Sequence, residues 1–484
     1  MRINFNRLSR VAFPLIGGIQ GGCSMERNHS AQTYPSLSSA SGGEKPSLIS
    51  FLTIILLLIS VASVSAQTKE FTAAGIKVIF APSPKEVVSV RLFIDGGTAN
   101  YPKEKEGIES LALMTAVEGG TTAHDKTAFH TEAEKIGARF SSSSSYDYGT
   151  MDMTCLSSFF DRSWQLFSEA VLTPAFDEKE FGIIQEQLVS GTQMSQSDPD
   201  QHLRNLAMEN VFTGKNYSKI PEGTAESLQK LTVKDTRDYY FSTVGKKRCF
   251  IVVVGQVKEE DLKKKIEATF GKLPEGTAAQ KEPKQFIREP SVFREDRDIA
   301  TNYIRGLFTA PSLSDKESPA MRVAMSIMQD KFFVELRTKR SLSYAPAAFY
   351  STGVINSSYN VIYISTRDPA QSMAVMTDII NDAKKNGFTE KELKDTKAQF
   401  LTNYYKGQET SAAQSMSLGT AEIAGDWNMV YALTEKVNAL TVDDLNKVFR
   451  KYTNAIKWTY LGKKDAAKAE DFRQVKYDKK NMPY

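Results

Sequence analysis

The chain has 484 residues, of which 41% are hydrophobic and 24% are charged. This composition is typical of globular proteins and excludes a disordered chain or a bundle of membrane helices. A net charge of +4 over this length is too small to indicate nucleic-acid binding. The length is sufficient for two to three domains, each with its own core.

The N-terminal region predicts export. An apolar segment at residues 49–64 follows Lys45 and is succeeded by small residues up to Ala66. The segment is short for a membrane-spanning helix and typical of the hydrophobic part of a signal peptide. We therefore predict a leader over residues 1–66, cleavage after Ala66, and a periplasmic or extracellular location. An uncleaved anchor that holds the body outside the membrane is the alternative, and the true start site upstream stays open.

The mature chain opens with two predicted strands and two helices. Alternating apolar residues predict strands at 71–80 and 88–94, and a glycine turn follows the second strand. Residues 107–118 carry apolar side chains at helical spacing and end at a pair of glycines. A second helix is predicted over 127–136.

Further along, residues 139–156 are rich in Ser, Tyr and Thr and predict an edge strand or a hairpin. Helices are predicted over 161–172 and 177–193, another helix begins after the predicted N-cap Thr232, and the apolar run 249–255 predicts a buried strand.

Three cysteines are present, and their spacing is not that of a metal site. Removal of the leader takes away Cys23 and leaves Cys155 and Cys249, both in strand-like segments. We therefore predict two buried thiols rather than one disulfide.

The pattern of the first half recurs in the second half. The segment Phe176–Glu180 is echoed by Phe388–Glu392, and Leu231–Asp235 is echoed by Leu440–Asp444, each about 210 residues later. Two echoes with nearly equal offsets indicate a duplicated unit, and the Pro- and Gly-containing segment 271–290 is the predicted linker.

The strand, glycine turn and helix that lead to Thr121 resemble the active-site region of the pitrilysin/insulinase family, which carries the inverted zinc motif His-x-x-Glu-His on this helix. When that motif is laid over the chain, its three positions fall on Ser110, Leu113 and Met114, and the family's third ligand falls on Gln187. A catalytic zinc needs about three His or carboxylate ligands, and none of these four side chains supplies one. The resemblance implies a chain without zinc.

Two histidines near two glutamates form a second candidate for a metal site. His124 and His130 lie near Glu132 and Glu134, but a solvated start of a helix explains these residues better than a metal site does.

The segment Glu335–Tyr344 resembles a family segment of the form Leu-Arg-x-Lys-x-x-Leu-x-Tyr. In the family, its arginine and tyrosine reach toward the substrate at the zinc, and here Arg337 and Tyr344 match them. Both side chains donate hydrogen bonds that stabilise an oxyanion. The alternative is an exposed arginine at a helix end beside a half-buried tyrosine.

The resemblance covers the whole mature chain and implies an α+β fold. Two tandem units of roughly 210 residues face each other across a chamber, as in the mitochondrial processing peptidases. We predict an N-terminal peptidase-like domain over 67–280 and a C-terminal one over 281–484.

Substrate contact is predicted at the edge strand near residues 141–155, because an extended peptide can add to a free strand edge. The candidate binding residues are Ser143, Ser144, Ser145 and Tyr146. A polar strand that only faces solvent is an equally open interpretation.

The resemblance implies a zinc-less subunit of a heteromeric peptidase, inactive alone, that supplies Arg337 and Tyr344 to a zinc-bearing partner. This chain would hold no cofactor, and the zinc would be in the partner subunit. The implied partners are that subunit and a peptide, with no nucleic acid, and a homodimer stays open. The alternative function is an inactive scaffold or peptide-binding protein of the same fold.

Overall fold

The structure is a computed structural model that describes residues 67–472 and residue 475. The described residues belong to one compact unit. The predicted leader and its cleavage site at Ala66 lie outside the described residues. Within the described part, no helix combines the length and the apolar character needed to cross a membrane.

The first half is built on a six-stranded sheet with the order β1-β2-β6-β3-β5-β4. In some of its strands polar and apolar residues alternate, and others are continuously apolar, as the sequence pattern requires. Strand β6 is buried along its whole length. The strands are β1 (Lys69–Ala73), β2 (Ile76–Pro82), β3 (Val87–Asp95), β4 (Arg139–Ser144), β5 (Tyr148–Leu156) and β6 (Cys249–Gly255).

Eight helices accompany this sheet along the chain. They are α1 (Ile108–Glu118), α2 (Lys126–Lys135), α3 (Phe160–Leu172), α4 (Glu178–Ser197), α5 (Pro199–Val211), α6 (Ala225–Lys230), α7 (Val233–Thr243) and α8 (Glu259–Ala268). The predicted helix over 177–193 is real but extends four residues further, to Ser197, where Asp198 caps the next helix and makes the chain turn.

The second half is built on a five-stranded sheet with the order β7-β11-β8-β10-β9. Its strands are β7 (Ser291–Asp296), β8 (Asn302–Thr309), β9 (Ala347–Tyr350), β10 (Tyr359–Thr366) and β11 (Lys457–Gly462). Its helices are α9 (Ser318–Phe332), α10 (Pro369–Asn386), α11 (Glu390–Lys406), α12 (Ser411–Ile423), α13 (Met429–Ala439) and α14 (Val442–Tyr452). A π-helical turn, Phe333–Thr338, continues α9.

The two sheets have the same strand order once β1 is set aside. The series β2-β6-β3-β5-β4 corresponds to β7-β11-β8-β10-β9, and the pairs β2/β6 and β7/β11 are both parallel. The echoed sequences mark equivalent helix starts: Thr232 and Thr441 each form a capping box with the aspartate three residues later. The predicted α+β fold with two tandem units is confirmed.

Each half completes the core of the other. Helix α5 of the first half packs against β8 and β11, and helix α12 of the second half packs against β3 and β6. The second contact includes an apolar cluster in which Leu418 and Trp427 join Phe93 and Val252. The boundary predicted at residue 280 therefore lies between two units that are interlocked through their helices, and it stays a prediction.

Two local expectations have clear outcomes. The single strand predicted over 71–80 is wrong, because the chain reverses at Ala74-Gly75, both at positive φ, and forms the hairpin β1/β2. The prediction of two buried thiols is confirmed. Cys155 pairs with Val88 and Cys249 with Ile94, so the two thiols lie near opposite ends of β3.

Candidate functional site

Helix α1 carries three of the four degenerate zinc positions. It begins after Gly107, whose φ of 88° and close approach to Gly223 admit no side chain. Leu113 is 2% exposed and belongs to the core of the first half, whereas Ser110 and Met114 are partly exposed. The position of the family's catalytic glutamate is thus part of the hydrophobic core.

Helix α4 carries the fourth position and packs against α1. Met114 and Leu188 are partly buried against the same apolar cluster, whereas Gln187 is exposed. The fold therefore brings the two helices of the zinc site together, but the side chains between them are apolar. These residues do not fit a hydrolytic zinc, which requires His or carboxylate ligands.

The histidine alternative has no metal geometry either. The Nδ1 atom of His124 lies 2.8 Å from Glu169 Oε2, and Nε2 of His130 lies 3.2 Å from the carbonyl oxygen of Glu118. Glu132 forms ion pairs with Lys135 and Arg162. Across residues 67–472, no three His, Cys, Asp or Glu side chains are grouped so as to hold a metal.

The predicted edge strand is an edge. Strand β4 is the outermost strand of the first sheet, and its side chains alternate between exposed and partly buried. The hydroxyl groups of Ser143 and Thr150 lie 2.8 Å apart, and Ser144 donates to Glu109 Oε1 at 3.0 Å. The Ser145 amide donates to the Tyr148 carbonyl and closes the hairpin turn. No other strand of residues 67–472 pairs with this edge, which leaves it open to main-chain pairing.

Glu109 is a site residue that the sequence analysis missed. It is 1% exposed, and its carboxylate accepts hydrogen bonds from Tyr239 at 2.6 Å, from Ser144, and from Asn100 at 3.4 Å. Burial raises the pKa of this carboxyl, although the three hydrogen bonds oppose the shift. The signal was visible as a charge in the first turn of a largely apolar helix. Glu109 fixes β4 to α1 beside the degenerate motif.

Tyr146 lies where the first half meets the second. Its carbonyl accepts from the Thr98 amide at 3.0 Å, and its ring packs edge-on to Tyr217 with the centroids 5.7 Å apart. The neighbouring Asp147 accepts hydrogen bonds from the Tyr217 hydroxyl and from the Ile355 amide of the second half. A cavity of about 150 Å³ lies here; Tyr146 lines it, whereas Arg337 and the degenerate zinc positions do not.

Arg337 and Tyr344 are brought together. The guanidinium carbon of Arg337 lies 4.2 Å from the centroid of the Tyr344 ring and 4.8 Å from that of Phe333. The two rings therefore hold the guanidinium by cation–π contacts. Tyr344 is 77% exposed, so the predicted half-buried tyrosine of the structural alternative is wrong.

A tight turn produces this arrangement. Ser341 has a φ of 52°, its amide donates to the Arg337 carbonyl, and the Leu342 amide donates to the Leu336 carbonyl. Such bonds end a helix and reverse the chain, which returns Tyr344 to the side of Arg337.

The charges around Arg337 are distributed unevenly. Glu335 forms ion pairs with both Lys339 and Arg340 at 2.6 and 2.5 Å. Arg337 forms no hydrogen bond or ion pair through its side chain with the described residues, and it makes no such contact to α1. Its guanidinium is oriented by rings, while its N–H donors remain available.

The chain is similar to several known proteins. A family model described as "Insulinase (Peptidase family M16)" matches residues 77–225, and one described as "Peptidase M16 inactive domain" matches residues 230–400.

An uncharacterized zinc protease of Rickettsia bellii is 22% identical over 344 residues, which cover 69% of this chain and 81% of that protein. The non-peptidase homolog YmxG of Helicobacter pylori is 20% identical and covers 83% of this chain and 95% of its own. The solved structure of a peptidase M16 inactive domain from Pseudomonas fluorescens has a TM-score of 0.76 at 20% identity, and it covers 83% of this chain and 99% of its own.

Proposed function

Because the chain belongs to the pitrilysin/insulinase (M16) family and is an inactive-type member of it, we propose that it is the zinc-less subunit of a heteromeric peptidase. In this role, Arg337 and Tyr344 enter the active site of a zinc-bearing partner subunit of the same family. There they stabilise the negative charge that develops on the carbonyl oxygen of the peptide under attack.

The observation that carries this proposal is the state of Arg337. A surface arginine that serves only packing gains from pairing with a nearby carboxylate, and Glu335 is close enough to pair with two other cations. Arg337 instead stacks between Phe333 and Tyr344, which fixes the plane of its guanidinium and leaves its donors unused. Such preorganisation is what an oxyanion-stabilising group needs, because no reorganisation remains to be done during the reaction.

The remaining parts of the proposal come from the chemistry of the site. The zinc is supplied by the partner, since Ser110, Leu113, Met114 and Gln187 offer no ligand set. The substrate is a peptide that pairs with the free edge of β4. The complex works outside the cytoplasm, in accord with the predicted signal peptide.

A second candidate is an inactive scaffold or peptide-binding protein of the same fold. The relative described as a non-peptidase homolog favours it. On this hypothesis, the Arg337 stack is a packing feature and has no influence on turnover.

The test compares Arg337→Ala and Tyr344→Phe in the complex with the zinc-bearing partner. Loss of one oxyanion donor lowers turnover by roughly 10²–10³, so we expect a loss of this size in single-turnover cleavage of a quenched fluorescent peptide. Arg337→Lys is expected to rescue poorly, because an ammonium group does not reproduce the planar guanidinium.

Arg340→Ala is the matched control, since this arginine lies in the same turn but is paired with Glu335. Its turnover is expected to equal that of the unchanged chain, and gel filtration is expected to show intact complexes for all four variants. The chain alone is expected to cleave nothing and to contain well under one zinc per molecule. Full activity of both Arg337→Ala and Tyr344→Phe would favour the scaffold.

A further inference from the structure

Two arginines, one on each half, lack an acidic partner among the described residues. Arg305 lies on β8 and is half-buried, and Arg204 lies on α5 and is exposed. Neither side chain forms an ion pair or a hydrogen bond with the described residues. A nearby carboxylate, Asp200, accepts a hydrogen bond from the Tyr363 hydroxyl instead.

The environment of Arg305 is unfavourable for a cation. Its Nε atom is buried and has no acceptor in the described part of the chain. Burial lowers the pKa of Arg305, and the charge of Arg204 acts in the same direction while Tyr359 opposes it. A charged group that is withdrawn from water without an acceptor destabilises the fold. Such groups are concentrated at binding sites, where a ligand supplies the missing acceptor.

The position of Arg305 on the sheet is also informative. Arg305, Tyr363 and Ala347 are paired across β8, β10 and β9, so their side chains share one face. The Phe349 ring, 42% exposed, lies on the same face, 6.0 Å from the Arg305 guanidinium. Helix α5 covers β8 and β11, and the outermost strand of this sheet is β9.

The first half contributes to the same place. Tyr146 packs against the same apolar cluster as Tyr363, which is paired with Arg305 across the sheet. Helix α5, which carries Arg204, contributes Ala207 and Met208 to that cluster. Tyr146 was predicted to bind substrate. The strand and the helix that carry the two arginines therefore meet a candidate substrate residue of the first half.

We propose that Arg305 and Arg204 bind a carboxylate of an extended peptide, so that the chain selects acidic peptides. The planar donor array of arginine matches a carboxylate in a bidentate way, and Phe349 offers an apolar surface beside it. The edge strand β4, which leads to Tyr146, can pair with a peptide backbone, which favours a peptide over a nucleic acid as the source of the anion. This inference names the substrate class of the proposed function and rests on that function for its biological role.

Binding is measured by fluorescence anisotropy with the chain alone at about 0.1 M salt. Three labelled peptides of equal length are used: one with glutamates and an amidated C-terminus, its glutamine counterpart, and the glutamine peptide with a free C-terminal carboxylate. We expect the glutamate peptide to bind about tenfold more tightly than the amidated glutamine peptide, the scale of one charge-assisted hydrogen bond. If the free-acid peptide gains instead, the terminal carboxylate is the ligand.

The variants assign this preference to residues. Arg305→Gln and the exposed Arg204→Gln are each expected to reduce it to about threefold or less, and Arg305→Lys is expected to retain part of it with the charge and the fold preserved. Arg340→Gln is the control and keeps the full preference, since Arg340 is paired with Glu335. Turnover of the Arg337→Ala complex tests the proposed function by a separate readout, so failure of this inference is distinguishable from failure of the proposed function.

Three results would overturn the inference. The first is equal binding of all three peptides. The second is an acidic preference that persists in both Arg305→Gln and Arg204→Gln. The third is tighter binding of a single-stranded oligothymidylate than of the glutamate peptide.

Discussion

The helix after β3 and the helix after β8 occupy equivalent places in two sheets of the same strand order, but they treat polar groups in opposite ways. On α1, the position of a catalytic glutamate holds Leu113, which is part of the core. At the end of α9, Arg337 keeps its donors unpaired beside two exposed rings. Apolar packing fills the site on α1. The site at the end of α9 keeps an arrangement of side chains that packing alone does not require.

The largest effect is expected when a carboxylate is placed at the position of Leu113. Leu113→Glu removes a buried apolar side chain and places an ionisable group in the core, and each change is costly. We expect the free energy of unfolding to fall by roughly 3–5 kcal/mol, measured by urea unfolding at pH 7. The matched control is Leu113→Met, which conserves volume and is expected to cost less than about 1.5 kcal/mol. Equal stability of the two variants would mean that the site is still open.

The sheet faces shared between the halves offer a second contrast, because Arg305 is unpaired while Arg91 forms an ion pair with Asp152 at 2.8 Å. Burial raises the pKa of Asp152 to about 6, although Arg91 and Thr150 oppose the shift. The folded state then binds a proton that the unfolded state has released, so this carboxyl lowers stability as the pH rises from about 4 to 6.

Relative to Asp152→Asn, the unchanged chain is therefore expected to lose roughly 2–3 kcal/mol of stability over that interval. Urea unfolding at pH 4 and pH 7 measures the difference. Asp161→Asn is the control, because the side chain of Asp161 is 88% exposed, and its difference from the unchanged chain is expected to stay nearly constant. A constant difference for Asp152→Asn as well would show that Asp152 ionises normally in the fold.

The smallest effect on stability is expected at the two equivalent capping boxes, which compare one helix of each half. Thr232→Ala and Thr441→Ala each remove a side-chain cap from the helix that precedes the last strand of the respective sheet. Each is expected to cost about 1 kcal/mol, with serine at either position restoring most of it. Thermal unfolding of the four variants measures the two costs. Clearly unequal stability costs would show that the two equivalent helices no longer contribute equally to the stability of the two halves.

The helices and strands of the two halves were predictable because their sequence signals are local. The echoes at Phe176 and Phe388 coincide with helix starts capped by Asp177 and Thr389, whose side chains accept backbone N–H groups in both halves. That Ser110, Leu113 and Met114 carry no imidazole or carboxylate can be read from the sequence directly, whereas their assignment to the zinc positions stays a prediction. The hairpin at Ala74-Gly75 was missed because Gly75 was its one sequence signal, and Ala74, the other turn residue at positive φ, gives none.

The contents of the site were less predictable because they depend on partners distant in sequence. Amphipathic spacing in α5 shows that one face is buried, but it does not show that the buried face meets β8 of the other half. An arginine in an alternating strand is ordinary, and only the absence of an acceptor for the Arg305 Nε atom among the described residues marks it out. Glu109 was visible as a charge, but its hydrogen bonds to Ser144 and Tyr239 depend on the fold.

The exchange of helices between the halves also sets an order of events during synthesis. The first sheet is complete once β6 has been made, but its cover, α12, emerges about 150 residues later, a delay of several seconds at ordinary elongation rates. In that interval, Ile79, Phe93 and Val252 form an apolar surface that Leu418 does not yet cover. Contacts between residues this far apart form slowly because a long loop must close first. The nascent first half is therefore the stage at which this protein is most prone to aggregate.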